Sequence, residues 1–308
     1  MPKISADPAV YGKYAEVTAI ADYWETLALH GRAVSHAQMS DLIRDNDWNV
    51  RDFFLMAGEG RSDAEDIEEP LDVATAVVAT LDERSDMLGQ LYPFGWEEER
   101  RLCVQIDDPK ESGYVALLAI TACHAYRIES PVAPHEVFED TVVQVIAHDR
   151  LKAVNLGKHR RSEGTFEAAL RVAGAEIDLN VAPEAAIRMA YAHDEGVDTI
   201  CHLSWGDTRP GIWSMIGQVT CARSNDWRAK VRQAHPEPWR LLLSVGYPKP
   251  WVFLAVPHHV APDHLRKLVQ DSEALVLDRI RLARFKDGVS TDERQLIESL
   301  VTSEIDYP

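Results

Sequence analysis

Two short apolar runs place an acid, an amide and a hydroxyl where they can meet. Asp198 lies in Asp194-Glu195-Gly196-Val197-Asp198-Thr199-Ile200, and Gln218 and Thr220 lie in Gly217-Gln218-Val219-Thr220. Runs of this kind, separated by a turn sequence such as Arg209-Pro210-Gly211, read as adjacent strands. Side chains alternate along a strand, so Asp198, Ile200 and His202 share one face and Thr199, Cys201 and Leu203 the other. By the same parity Gln218 and Thr220 share a face, and Val219 and Cys221 take the opposite one. One register then joins Asp198, Gln218 and Thr220 and sends both cysteines to the far side. Hard oxygen donors suit a divalent cation, and a divalent cation suits phosphodiester hydrolysis. Asp198 would supply a carboxylate, Gln218 an amide oxygen and Val219 its backbone carbonyl. Glu167, in Phe166-Glu167 at the start of a predicted helix, would reach the same cation or a second one.

These groups need a scaffold, and the pattern of apolar residues supplies one. Apolar spacing predicts helices over residues 8–30, from Ser35, from Pro70, over 114–126, over 137–151 and from Phe166 to Gly174. Ser35 with Gln38, and Ser290 with Glu293, have the form of capping boxes. Residues 187–192 read as a strand leading into the central pair. A helix from Trp227, a strand over 250–256, a helix over 262–271 and a strand over 274–277 that includes Ile280 follow. The second half is therefore an α/β unit with a mixed sheet.

Helix, three strands, helix and strand, with an acid on the second strand and Glu or Gln on the third, resembles the PD-(D/E)XK nucleases. The branch it is most similar to is the Mrr-like restriction endonucleases. Phe166-Glu167 matches that family's early helix element, and residues 194–198 match its strand entry, with Glu195 for one glycine. Gly217-Gln218-Val219-Thr220 matches its Gln-x-Lys strand, except that Thr220 stands where the lysine should be. The resemblance spans about residues 160–260. It implies a restriction-endonuclease-like core and a Mg²⁺ (or Mn²⁺) cofactor. It also implies hydrolysis of nucleic acid, DNA first, of the kind found in bacterial antiviral defence. The missing lysine would have oriented the attacking water and stabilised developing charge. Thr220 carries no positive charge, so Arg223 and Lys230 become the candidates for that role.

Composition bounds the rest. The chain has 308 residues and a net charge of −18. Residues 1–150 carry 29 acidic against 12 basic residues, whereas residues 151–308 carry 21 against 20. An acidic surface repels nucleic acid, so nucleic-acid contact is expected from Lys158, Arg160, Arg161 and Lys230. Three units are expected: an acidic, mainly helical regulatory or partner-binding domain over 1–130, a nuclease-like domain over 131–290, and a C-terminal helix and tail over 291–308. The acidic half points to a protein partner or a homo-oligomer. Two other readings are a non-catalytic adaptor that has lost the lysine, and a nucleic-acid mimic. Four widely spaced cysteines and no apolar run of membrane-spanning length suggest a cytoplasmic protein. Cys201, His202 and Cys221 do not make a zinc site, since parity turns His202 away from both thiols. Of the tryptophans at 205, 213, 227, 239 and 251, core packing is expected before base stacking.

Overall fold

The computed structural model describes residues 4, 7–45, 70–182, 196–207, 209, 211–243 and 248–305. The acidic run at 62–69, the strand expected at 187–192 and Asp194-Glu195 of the strand entry lie outside the described residues.

The expected first helix is split. Pro8–Tyr11 forms a single 3-10 turn, and α1 runs Glu16–Leu29. Gly12 ends the turn at φ 87°, a backbone conformation natural to glycine. Helix α2 (His36–Asp45) starts from the expected capping box, with Gln38 Oε1 accepting from the Ser35 amide at 2.9 Å. Helix α3 (Pro70–Leu88) begins at proline, whose missing N–H costs nothing in a first turn. A small hairpin of β1 (Phe94–Glu97) and β2 (Arg101–Val104) leads to α4 (Gly113–Ala125), which is buried almost all round, and to α5 (Pro134–Ile146).

The remaining chain builds a mixed sheet. Strand β3 (Leu151–Asn155) is followed by α6 (Leu156–Glu163) and α7 (Phe166–Glu176). Then come β4 (Thr199–Leu203), β5 (Ser214–Val219), α8 (Trp227–Gln233), α9 (Pro236–Leu242) and β6 (Trp251–Ala255). Last are α10 (Pro262–Ser272), β7 (Leu275–Leu277), α11 (Arg279–Phe285) and α12 (Thr291–Thr302). The described strands lie in the order β3-β4-β5-β6-β7. β3/β4 and β4/β5 are antiparallel, and β5/β6 and β6/β7 are parallel. The fold is mixed α/β.

Strand β3 was not expected, and its place was assigned to residues 187–192. The correction has a physical reason: Leu-Lys-Ala-Val-Asn is an edge strand with only three buried residues, so its apolar signal is weak. The helix that immediately precedes the first strand is therefore α5. Ile280, expected in a strand, lies in α11.

Helices cover both faces of the sheet. Ala153, Cys201, Met215, Val219 and Phe253 pack against α1, α4, α5, α11 and α12 in one large core. Val154, Ile200 and Ile216 pack on the other face with Leu170 of α7 and Trp239 of α9. Trp227 of α8 and Leu268 of α10 pack with Leu254 beside them. The first of these cores runs from Ile4 to Leu300. The described residues of 1–130, of 131–290 and of the final helix contribute to this one core. No helix among the described residues is long and apolar enough to cross a membrane.

Candidate metal and phosphodiester site

Asp198 stands one residue before β4 and is held by its backbone on two sides. Its amide donates to the Gly217 carbonyl at 2.8 Å, and its carbonyl accepts from the amides of Leu156 at 2.8 Å and Gly157 at 3.2 Å. The β4/β5 register pairs Thr199 with Gly217 and Ile200 with Ile216. Beyond Thr199 that pairing stops: the Asp198 amide bonds to Gly217, and Gln218 pairs with Leu254 of β6. Ile200 and Ile216 share the core that α7 and α9 cover, whereas Cys201 and Cys221 face the large core. Strand parity thus places Asp198 and Gln218 on one face and both cysteines behind it. His202 also lies on that face, and its Nε2 is 2.6 Å from the Ile177 carbonyl oxygen.

The Asp198 carboxylate is half-buried, and its Oδ2 accepts from the Val219 amide at 2.9 Å. Burial pushes its pKa up to about 6; the Val219 bond opposes this, the charge of Glu139 adds to it, and the positive charges of Lys230 and Arg160 pull back. Desolvation of a carboxylate is the ordinary origin of such a rise.

Glu139 comes from α5, the helix before the first strand. Its side chain is 10% exposed, and Arg161 of α6 donates to its Oε2 through Nη1 and Nη2, both at 3.1 Å. The backbone of Gly157 lies against it. A Cβ there would lie 3.0 Å from Glu139 Oε2 and 3.3 Å from Asn155 Oδ1, so a side chain would oblige these groups to give by a few tenths of an ångström. Asn155 caps α6 by accepting from the Lys158 amide at 2.9 Å, and its Nδ2 donates to Asp140 Oδ1 at 2.9 Å. The ends of β3, β4 and β5 and the helices α5 and α6 thus converge on Asp198.

The other expected site residues fall as follows. Glu167 is at the first turn of α7, where it pairs with Arg171 one turn on at 3.0 Å; the carboxylate that acts on Asp198 is Glu139. The Val219 amide, rather than its carbonyl, is turned to Asp198. Thr220 Oγ1 accepts from the Ala222 amide at 3.1 Å and so holds the turn after β5. Arg223 is exposed in that turn. Lys230 of α8 is half-buried and bears on Asp198, and so does Arg160. Lys158 is exposed and lies 3.5 Å from Asp140. Arg279 is wholly buried against Asp22.

The turn after β5 is pinned by the start of the chain. Tyr14 N donates to Ser224 Oγ at 3.1 Å, Lys13 N to Asn225 Oδ1 at 3.1 Å, and Ser224 N to the Tyr11 carbonyl at 2.8 Å. A Cβ on Gly12 would meet Ser224 Oγ at 2.8 Å. The N-terminal segment thereby fixes where α8, and with it Lys230, begins.

Among the described residues no group of three His, Cys, Asp or Glu side chains is placed to hold a metal ion. The acidic groups that bear on one another here are Asp198 and Glu139, and carboxylate oxygens suit Mg²⁺ or Mn²⁺ rather than zinc. The sequence offers Phe138-Glu139 as a rival to Phe166-Glu167, in a similar helical setting two helices earlier, and it gives no signal for Asn155. No protein-family model, curated protein or solved structure matches the chain.

Proposed function

We propose that the chain is a metal-dependent phosphodiesterase of the PD-(D/E)XK kind, acting on nucleic acid, with DNA as the first substrate to test. The observation that carries this reading is the Asp198 carboxyl at the meeting point of β3, β4 and β5, bonded by the Val219 amide and acted on by the charge of Glu139 from the helix before β3. The order of elements supports it. Helix α5, strand β3, strands β4 and β5, helices α8 and α9, then β6 parallel to β5 follow the helix, three strands, helix, strand plan with α6 and α7 inserted between its first two strands. The plan begins at Pro134, two helices earlier than the motifs at 166–167 suggest.

In this reading Asp198 and Glu139 hold a Mg²⁺ or Mn²⁺ ion with the Gln218 amide oxygen. The bound ion would polarise the phosphodiester and make a water acidic enough to attack. The chain's own groups set the rest. Burial keeps the Asp198 carboxylate poorly solvated, which strengthens its pull on a cation. Lys230 and Arg160 bring positive charge to bear on Asp198, where they would offset negative charge developing on phosphorus. Arg160 does not deprotonate, so it serves charge and not proton transfer.

The test is incubation of the full chain with plasmid, single-stranded DNA and RNA, each with Mg²⁺, Mn²⁺ or EDTA. Cleavage with metal is expected, and Asp198→Ala and Glu139→Ala should reduce it to the EDTA background while Glu167→Ala leaves it intact. Cleavage that survives Asp198→Ala would sink the assignment. The second reading, a non-catalytic adaptor, is favoured by the absence of a third acidic or histidine ligand among the described residues. No cutting with any substrate and metal, together with a stable protein partner in pull-down, would select it.

A further inference from the structure

The tryptophans at 205, 213, 227, 239 and 251 divide into two groups. Trp227 and Trp239 are wholly buried in the cores beside the sheet. Trp205, Trp213 and Trp251 are 56%, 38% and 60% exposed. These three lie at one end of the sheet. Trp205 follows β4 by two residues, Trp213 immediately precedes β5, and Trp251 opens β6. The Leu203 amide donates to the Trp213 carbonyl at 2.9 Å, and Trp251 pairs with Met215. Asp198 stands at the other end of β4, whose five residues span about 17 Å.

Trp213 and Trp251 line an open cavity of about 1170 Å³. Val269 of α10 and Leu275 of β7, both exposed, add apolar wall. Large exposed apolar side chains gathered in one place mark a binding surface. Arg232, Lys249 and Arg281 bring positive charge to the same lining. Of the carboxylates among the described lining residues, Asp271 is already paired with Arg228 at 3.3 Å. Lys249 meets Glu237 at 2.8 Å, but both side chains are exposed, so this pair exchanges readily for another anion. In a chain of net charge −18, a lining with this balance selects an anionic ligand. Flat aromatic walls select a flat ring.

We propose that this cavity binds nucleotides with unpaired bases, presented by a single strand of nucleic acid. Bases stack on Trp251 and Trp213, and the backbone phosphates meet Arg232 and Lys249. Base–aromatic stacking tolerates any sequence, because every base has a π-face. A duplex keeps its bases stacked inside and offers none to the tryptophans. The volume exceeds the roughly 300–1,000 Å³ of a cleft for one small ligand, which favours a short run of strand over one free nucleotide. The cavity and Asp198 lie at opposite ends of β4, so the inference does not depend on a cation at Asp198.

The measurement is fluorescence anisotropy of a labelled oligothymidylate with the full chain in EDTA, where metal-dependent cutting plays no part. Trp251→Ala should weaken binding about tenfold, the ordinary size of one base–aromatic stack. Trp251→Phe, which keeps a ring, should fall between that variant and wild type. Arg232→Ala should weaken binding and flatten its dependence on salt. Phe285→Ala removes an exposed ring outside the cavity and should change nothing. Competition with thymidine monophosphate at equal nucleotide concentration separates the two sources of the ligand: weak competition supports the strand, and equal competition overturns it in favour of the free nucleotide. Unchanged affinity when Trp213→Ala and Trp251→Ala are combined, or a duplex of equal length bound as tightly, would overturn the proposal. So would a wild-type dimer that Trp251→Ala turns to monomer with no oligonucleotide bound, which would make this face an interface between copies.

Discussion

Two clusters of charge lie near the carboxyl ends of β5 and β6, and they are built on opposite plans. In the first, Asp22 and Glu25 of α1 meet Arg84 of α3 and Arg279 of α11. Arg279 binds Asp22 through Nη1 at 2.7 Å and Nη2 at 2.6 Å, and also reaches the Pro257 carbonyl and Thr121. Arg84 reaches Asp22 at 2.8 Å and Glu25 at 2.9 Å, and the Tyr92 and Tyr114 hydroxyls donate to Glu25. All four charged side chains are almost completely buried. In the second cluster Asp198 accepts from the Val219 amide, feels the negative charge of Glu139 and is acted on by the positive charges of Lys230 and Arg160. The two aspartates respond accordingly. Burial works to raise both, but the guanidiniums of Arg279 and Arg84 hold Asp22 down at about 2, whereas Asp198 rises to about 6. The difference teaches that the number of charges says little about role. A cluster whose acids are matched by forked donors is a structural weld; one whose acid is left under-compensated has capacity for a ligand.

Four substitutions test this contrast, in decreasing order of effect. Arg279→Met removes one partner of a buried pair and leaves Asp22 short of a charge. It should cost about 3–5 kcal/mol in urea unfolding at pH 7. A loss below about 1 kcal/mol would mean that the weld is not holding α1 to the sheet.

Asp198→Asn should do the reverse and stabilise the fold. A folded pKa near 6, against 3.8 for the unfolded chain, means that the native state binds the extra proton between those values. Stability contributed here is therefore lost as pH rises from about 4 to 6, and the deficit is full above that, on the order of 2 kcal/mol. Unfolding at pH 8 should show that gain for Asp198→Asn, shrinking toward zero near pH 4. Asp22 has the opposite sign: its stabilisation is present above its unfolded pKa and fades as pH falls toward 2. A destabilised Asp198→Asn at pH 8 would place Asp198 in the same class as Asp22.

Ser224→Ala takes the acceptor from the Tyr14 amide and loosens the link between the chain's start and the turn before α8. About 1 kcal/mol of stability should go, and amide exchange should rise at Tyr14. Unchanged exchange there would mean that the hydroxyl does not hold the segment. Glu167→Ala breaks only a half-exposed pair with Arg171, and the change should stay within about 0.5 kcal/mol. A larger loss would give Glu167 a role that its position on α7 does not explain.

Sequence made one part of this legible because it depends on local chemistry. Both capping boxes, Ser35 with Gln38 and Ser290 with Glu293, follow from residue type and spacing. The shared face of Asp198 and Gln218 follows from strand parity alone. What stayed hidden depends on tertiary order. β3 is short and carries Lys152 in its middle, so nothing local marks it as the first strand. Without β3, two helices with the same Phe-Glu pair competed to be the one before the sheet, and Phe166-Glu167 lay closer in sequence to Asp198. The hidden arginines are a similar case. Arg279 reads as a surface charge beside Arg281, and only its distant partner Asp22 explains its burial.

The central claim is that Asp198, Gln218 and Glu139 form a cation site. The most direct measurement is anomalous diffraction from crystals of the protein soaked in Mn²⁺. The account predicts a Mn²⁺ peak within about 2.0–2.5 Å of the carboxylate oxygens of Asp198 and Glu139, with the Gln218 amide oxygen turned toward it. Mn²⁺ bound elsewhere in the crystal, with no peak beside Asp198, would contradict it.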